Sequence, residues 1–251
     1  QSRIQTLIAE TFESKEGRCL IVMPTGSGKT RTSIESTLMW LISNSRWPSN
    51  LIWIADREEL CEQAYQSFKT IFVHVCQQLE EKLDVPNYTE IWRHWGGIDK
   101  RSTARNFDSA NPAIVVTSVQ QLQSRMNSRD PITEDLLSNA EVVIVDEVHR
   151  NLDFNEELES KLTSNAHNSA MIGLTATPMR RDRNEASRLL HLFEQNVLAP
   201  IDGGEEDIES MTLELTSRGI LAQKIDLNPY DLIDYDSLSS QHGEQSYLEK
   251  V

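Results

Sequence analysis

A lysine followed by a threonine, set directly behind two glycines, is the pairing in this chain best suited to phosphate chemistry. The stretch from Cys19 to Thr30 reads Cys-Leu-Ile-Val-Met-Pro-Thr-Gly-Ser-Gly-Lys-Thr. Pro24, Thr25, Gly26, Ser27 and Gly28 supply a loop whose backbone N–H groups can converge on one point, where polyphosphate is the fitting ligand. Lys29 can then reach the β and γ phosphates, and the Thr30 hydroxyl can ligate Mg²⁺. A second constellation lies far along the chain, where Asp146 and Glu147 end the apolar run Glu141-Val-Val-Ile-Val145. A carboxylate has no packing reason to stand there. Asp146 can hold Mg²⁺ through its water shell, and Glu147 can orient and deprotonate a water that attacks the γ phosphate.

These groups require a scaffold that brings them to one place. Cys19 to Met23 reads as a short buried strand that Pro24 must end, and Lys29 to Ile42 carries Ile34, Leu38, Leu41 and Ile42 at a helical period. Strand, glycine loop and helix therefore follow in order. Met23 stands where the full Gly-x4-Gly-Lys-Thr pattern has its first glycine, while Gly28, Lys29 and Thr30 meet the rest of it. Leu51 to Ala55, Ala113 to Thr117, Glu141 to Val145 and Ala170 to Leu174 are further apolar runs of strand length. Helical stretches separate them: one from Asp56 through Phe68, one carrying Val119, Leu122 and Met126, a short one at Leu136 and Leu137, and one from Glu185 to Phe193. The pattern is poor from Val73 to Phe107, with a strand end and turn marked near Trp92, Trp95, Gly96 and Gly97. Strands alternating with helices predict an α/β fold with a mainly parallel sheet, and reactive groups at the carboxyl ends of such strands share one rim.

Composition sets outer bounds. The 251 residues can bury a full core, and no apolar run approaches the roughly 18 residues of a membrane span, so no membrane partner is expected. Cys19, Cys61 and Cys76 form no Cys-x-x-Cys pair, and His74 and Cys76 have no second pair to complete a metal site, which fits a reducing, cytoplasmic setting. The net charge of −15 is unevenly spread: residues 201–251 hold 12 acidic and 3 basic residues. This divides the chain into a body, 1–200, and an acidic peripheral extension, 201–251. Basic clusters survive in the body at Lys100, Arg101 and Arg105, at Arg125 and Arg129, and at Arg180, Arg181 and Arg183. The chain opens Gln-Ser-Arg without a methionine, as a piece of a longer protein would.

Met-Pro-Thr-Gly-Ser-Gly-Lys-Thr, Asp-Glu-Val-His and Gly-Leu-Thr-Ala-Thr-Pro-Met-Arg-Arg-Asp, in this order, resemble the motifs of the first RecA-like motor domain of superfamily-two DExH helicases and translocases. Arg3-Ile-Gln5, Ala-Asp-Arg-Glu-Glu-Leu and Val-Val-Thr-Ser-Val-Gln-Gln-Leu resemble further elements of that family, most closely the branch of type III restriction subunits and related double-stranded DNA translocases. The resemblance spans roughly residues 3 to 225. It implies a RecA-like P-loop domain with helices on both sheet faces, ATP and Mg²⁺ as cofactors, and a nucleic-acid track, with double-stranded DNA foremost. Gln5 would contact adenine, and His149 would link the γ-phosphate site to Thr175 and Thr177, which relay nucleotide state. Arg57, Gly97, Thr117 and Ser118 would meet the phosphate backbone, where sequence-independent contacts are made.

The family hydrolyses ATP between two similar domains, and nothing after Thr177 repeats a strand-rich pattern or offers the facing arginine. The resemblance therefore implies half of a motor whose second RecA-like domain belongs to the same parent chain, with slow hydrolysis by these residues alone. Two rivals are a P-loop ATPase switch, disfavoured by Thr-Ala-Thr-Pro and Thr117-Ser118, and an inactive binding module, disfavoured by the intact catalytic set. Lys29→Ala is expected to abolish nucleotide binding or turnover, because no other group brings a charge to the β and γ phosphates. Parental ATP turnover in that variant would refute the loop assignment.

Overall fold

The computed structural model describes residues 2–14, 17–47, 49–80, 89–96, 113–164, 169–177, 183–201, 208–219 and 221. Helix α1 (Ser2–Glu13) precedes β1 (Arg18–Val22), the phosphate loop and α2 (Lys29–Ser43), which starts at the lysine as its pattern requires. Next come β2 (Asn50–Ala55), α3 (Glu58–Leu79), β3 (Glu90–His94), β4 (Ala113–Ser118), α4 (Val119–Asn127) and α5 (Pro131–Ser138). The chain continues through β5 (Ala140–Val145), a 3-10 turn (Val148–Arg150), α6 (Leu152–Thr163), β6 (Ala170–Thr175), α7 (Arg183–Leu192), β7 (Val197–Leu198) and α8 (Ile208–Ser217).

All seven strands run parallel in the order β3-β4-β2-β5-β6-β1-β7. Side chains of a strand alternate between faces, and the core divides accordingly. Cys19 and Ile21 face one layer, built with α1, α2 and α3; Leu20 and Val22 face the other, built with α4 to α8. The chain thus has the expected α/β architecture with helices on both faces. Because β5 and β6 lie between β2 and β1, the carboxyl end of β1 has β6 at its side and β5 one strand further on. That order brings the phosphate loop and the Asp146–Glu147 pair to the same stretch of rim. Among the described residues no helix is long and apolar enough to cross a membrane.

Three local features depart from the sequence reading. Helix α3 continues through Leu79, with Ile71, Phe72, Val75 and Leu79 buried. Val73 hid this continuation, since it is 54% exposed and places an apolar side chain on the solvent face. The two-residue edge strand β7 is too short to leave a pattern. Residues 201–251 include α8, whose Met211 and Leu215 are buried in the second core layer. The glycine inside β6 has a packing reason: a Cβ at Gly173 would lie 2.4 Å from Cζ of the buried Phe193 ring. Gly173→Ala is expected to destabilise the fold by about 1–3 kcal/mol, as overpacking of a rigid core does. Urea unfolding of the variant measures this, and an unchanged midpoint would show that Phe193 moves aside freely.

Candidate nucleotide site

At the carboxyl end of β1 the backbone is turned by two glycines in the left-handed region, Gly26 at φ 83° and Gly28 at φ 89°. A side chain would strain both positions. Within the turn the Ser27 amide and hydroxyl both donate to the Pro24 carbonyl, at 3.2 and 2.7 Å. Gly28 caps α2, and the first helical bond runs from the Thr32 amide to the Gly28 carbonyl at 2.9 Å. The amides of Lys29 and Thr30 precede that bond and have no acceptor within the helix. The loop and helix end therefore fit a polyphosphate, and Thr30 stands in the first helical turn, where a metal-ligating hydroxyl would be needed.

The two sequence constellations meet here. Lys29 Nζ donates to Glu147 Oε1 at 3.0 Å and lies 4.0 Å from Asp146 Oδ1, although the lysine is only 9% exposed. Asp146 continues the line of β5, its amide bonded to the Ile54 carbonyl at 2.8 Å. Burial pushes its carboxyl above the usual aspartate range; the Lys29 charge opposes that, Glu147 reinforces it, and the Glu147 N–H donated to Oδ1 at 3.1 Å lowers it again. Such a desolvated carboxylate, with one cation beside it, suits a hydrated divalent ion. Glu147 has φ 49° and ψ 43°, an uncommon conformation for a glutamate that turns its carboxylate toward the lysine. His149 Nδ1 lies 3.3 Å from Glu147 Oε2 and 2.9 Å from Thr175 Oγ1, which in turn accepts the Thr177 amide at 3.0 Å. Contacts thus run from Glu147 through His149 to Thr175 and Thr177.

Residues 1–180 match the family model described as Type III restriction enzyme, res subunit. The chain belongs to that family. No curated protein matches the sequence. Among solved structures, the Pyrococcus furiosus Hef helicase domain aligns with a TM-score of 0.56 at 18% identity, over 78% of this chain and 38% of that one. Mycobacterium smegmatis helicase Lhr bound to ssDNA and AMP-PNP gives 0.54 at 22%, over 77% and 25%. DEAD-box helicase Mss116 bound to ssRNA and UDP-BeF gives 0.54 at 16%, over 86% and 48%. The shared feature is the RecA-like fold, and the chain spans less than half the length of each.

Of the remaining expected residues, Arg57, Thr117 and Ser118 stand at strand ends on the same rim. Gln5 is half-buried on α1, which packs against α2 and β1. Arg57 is exposed at the end of β2, where it caps α3. Thr117 and Ser118 end β4 on the far side of β2, and the hydroxyls of both have partners within the protein. The Thr117 side chain is fully buried, with Oγ1 donating to the His94 carbonyl at 3.0 Å and lying 2.9 Å from His94 Nδ1, so its hydroxyl is spent internally. Ser118 Oγ accepts the Gln121 amide at 3.2 Å as the cap of α4. Gly97, Lys100, Arg101, Arg105, Arg180 and Arg181 lie outside the described residues. Arg125 is paired with Asp130 at 3.4 Å.

Sequence reasoning missed Asp56, whose type at a helix start carried no distinct signal. Its carboxylate accepts Asn151 Nδ2 at 3.0 Å and faces Arg150 at 3.6 Å, and its carbonyl accepts Gln120 Nε2 at 3.0 Å. This one residue ties the segment after His149 to the start of α4. His94 was missed as well. Burial pushes its imidazole down to about 4; Arg125 acts in the same direction and Asp130 opposes both. A histidine held neutral in the folded state stabilises fully above its unfolded value of roughly 6.5, and that contribution is lost as the pH falls through the folded one. His94→Asn is therefore expected to flatten the loss of thermal stability between roughly pH 6.5 and about 4. Parallel melting-temperature profiles for the two proteins would show that His94 charges without penalty.

Proposed function

We propose that this chain is the nucleotide-binding domain of an ATP-driven motor that moves along nucleic acid, with duplex DNA as its track and ATP with Mg²⁺ as its fuel. The observation that carries the proposal is the meeting of Lys29 with Glu147 and Asp146 at the phosphate loop, 3.0 and 4.0 Å apart. Bound nucleotide would supply the γ phosphate and Mg²⁺ the charge that draws electrons from it. Lys29 is the cation that exchanges Glu147 for phosphate, and Gly26, Gly28, Lys29 and Thr30 contribute backbone N–H groups around it. Released from the lysine, Glu147 would be free to take a proton from water, and Asp146 and Thr30 would hold the Mg²⁺. His149 touches both Glu147 and Thr175, so a change at the carboxylate reaches the segment through Thr177.

Family membership favours duplex DNA, and the solved neighbours, bound variously to DNA, ssDNA and ssRNA, favour nucleic acid in general. We assign Gln5 to the adenine and Arg57, Gly97 and Ser118 to the phosphate backbone, with Thr117 shaping the strand end from within. In this reading residues 1–200 form the motor domain, and 201–251 lead toward a second RecA-like domain of the parent chain, rooted by α8. The test is ATP turnover of the full-length protein carrying these residues, with duplex DNA, single strands and RNA compared. The largest stimulation is expected from duplex DNA, falling as salt rises because phosphate contacts release counterions. Glu147→Gln is expected to keep ATP bound and slow hydrolysis roughly 10²-fold or more, the scale of a lost general base. Turnover indifferent to every nucleic acid would favour a P-loop switch instead.

A further inference from the structure

The turn that carries Glu147 and His149 rests on a side chain with no obvious reason to be where it is. Asn155, in the first turns of α6, is completely buried, on a helix whose Leu152, Phe154 and Leu158 belong to the second core layer. Its Nδ2 donates to the Val148 carbonyl at 2.6 Å, and its Oδ1 has no hydrogen-bond partner. A buried polar atom left without a partner costs about 1–3 kcal/mol, so stability alone gives little reason for an asparagine here.

What the amide fixes is the peptide between Val148 and His149. On one side of that peptide is Glu147, in its left-handed conformation with Oε1 on Lys29; on the other is His149, with Nδ1 on Thr175. The Arg150 amide bonded to the Glu147 carbonyl at 2.9 Å closes the turn but leaves the Val148 carbonyl to Asn155. Rotation of that peptide would carry Glu147 and His149 off their partners together. We propose that Asn155 is a positioning residue for hydrolysis: its buried amide locks the Val148 carbonyl and thereby sets the Glu147 carboxylate and the His149 ring. This rests on the reading of Glu147 as the general base given above.

Asn155→Leu exchanges one unpartnered buried oxygen, Oδ1, for another, the Val148 carbonyl, at similar volume. A small change in melting temperature is therefore expected. In the full-length protein, the kcat for ATP should fall roughly 10- to 100-fold, as misplacement of a reacting group by about an ångström does, with KM for ATP kept within about twofold. A residue that only fills the core would lower kcat no more than it lowers the folded fraction. If the leucine variant does not fold, Asn155→Ala serves, read by kcat and KM on protein whose folded fraction is established by its melting curve. Parental kcat in either folded variant, or a loss confined to KM, overturns the proposal. Glu147→Gln measured alongside separates the two readings. Slow Glu147→Gln with parental Asn155→Leu removes only the positioning role, whereas parental Glu147→Gln removes the base assignment beneath it.

Discussion

The contact between Lys29 and Glu147 is the constraint that the rest of this structure serves. It joins the ends of β1 and β5, strands that are not neighbours, across the tip of β6. A half-buried ion pair of this kind persists only where each charge has further support, because desolvation works against both partners. The lysine is anchored at the first position of α2 behind two glycines, and the carboxylate is held by a left-handed turn at the end of a fully paired strand. The paired state is also a poised one. In the proposed function a polyphosphate, with more negative charge than one carboxylate, would compete for the lysine and release Glu147.

Around this pair the fold places its supports in layers. Thr175 at the end of β6, between the two strands, receives His149, and its backbone carbonyl accepts the Met23 amide at 3.0 Å, tying the base of the phosphate loop to the same strand end. Asp56 at the end of β2 braces Arg150 and Asn151 from the other side. A displacement of the carboxylate turn therefore meets a partner on each neighbouring strand. Further along, the ends of β2 and β4 carry Arg57 and Ser118 on the same rim but away from the loop.

Much of this was legible beforehand because local rules agreed with global ones. Helix α2 begins where the glycine loop must end, and β5 stops where apolar residues give way to Asp146. Parallel strands buried on both faces leave runs of branched apolar residues that need no tertiary information to be read. Legibility failed where a residue served the fold against its own pattern. Exposed Val73 hid the last two turns of α3, and the two-residue β7 had no length in which to show a period. Residue type also did not reveal the partner of the Thr117 hydroxyl, which is the carbonyl of His94, its neighbour across the pleat.

The amino-acid sequence by itself determined the chemistry on offer, namely a lysine and a threonine behind a glycine turn, a carboxylate pair ending a strand, and a parallel α/β frame to carry them. These follow from covalent geometry and side-chain period, which act over a few residues. Only the tertiary structure decided how those groups meet. Strand order sets β6 between β1 and β5, so that Lys29 lies 3.0 Å from Glu147 and His149 lies 2.9 Å from Thr175. It also decided which polar groups turn inward, since the burial of Asn155 and Thr117 and the half-burial of His94 depend on which helix or strand lies across from each. Contacts between residues distant in the chain are fixed by packing two helical layers on one sheet, and no local period encodes that pairing.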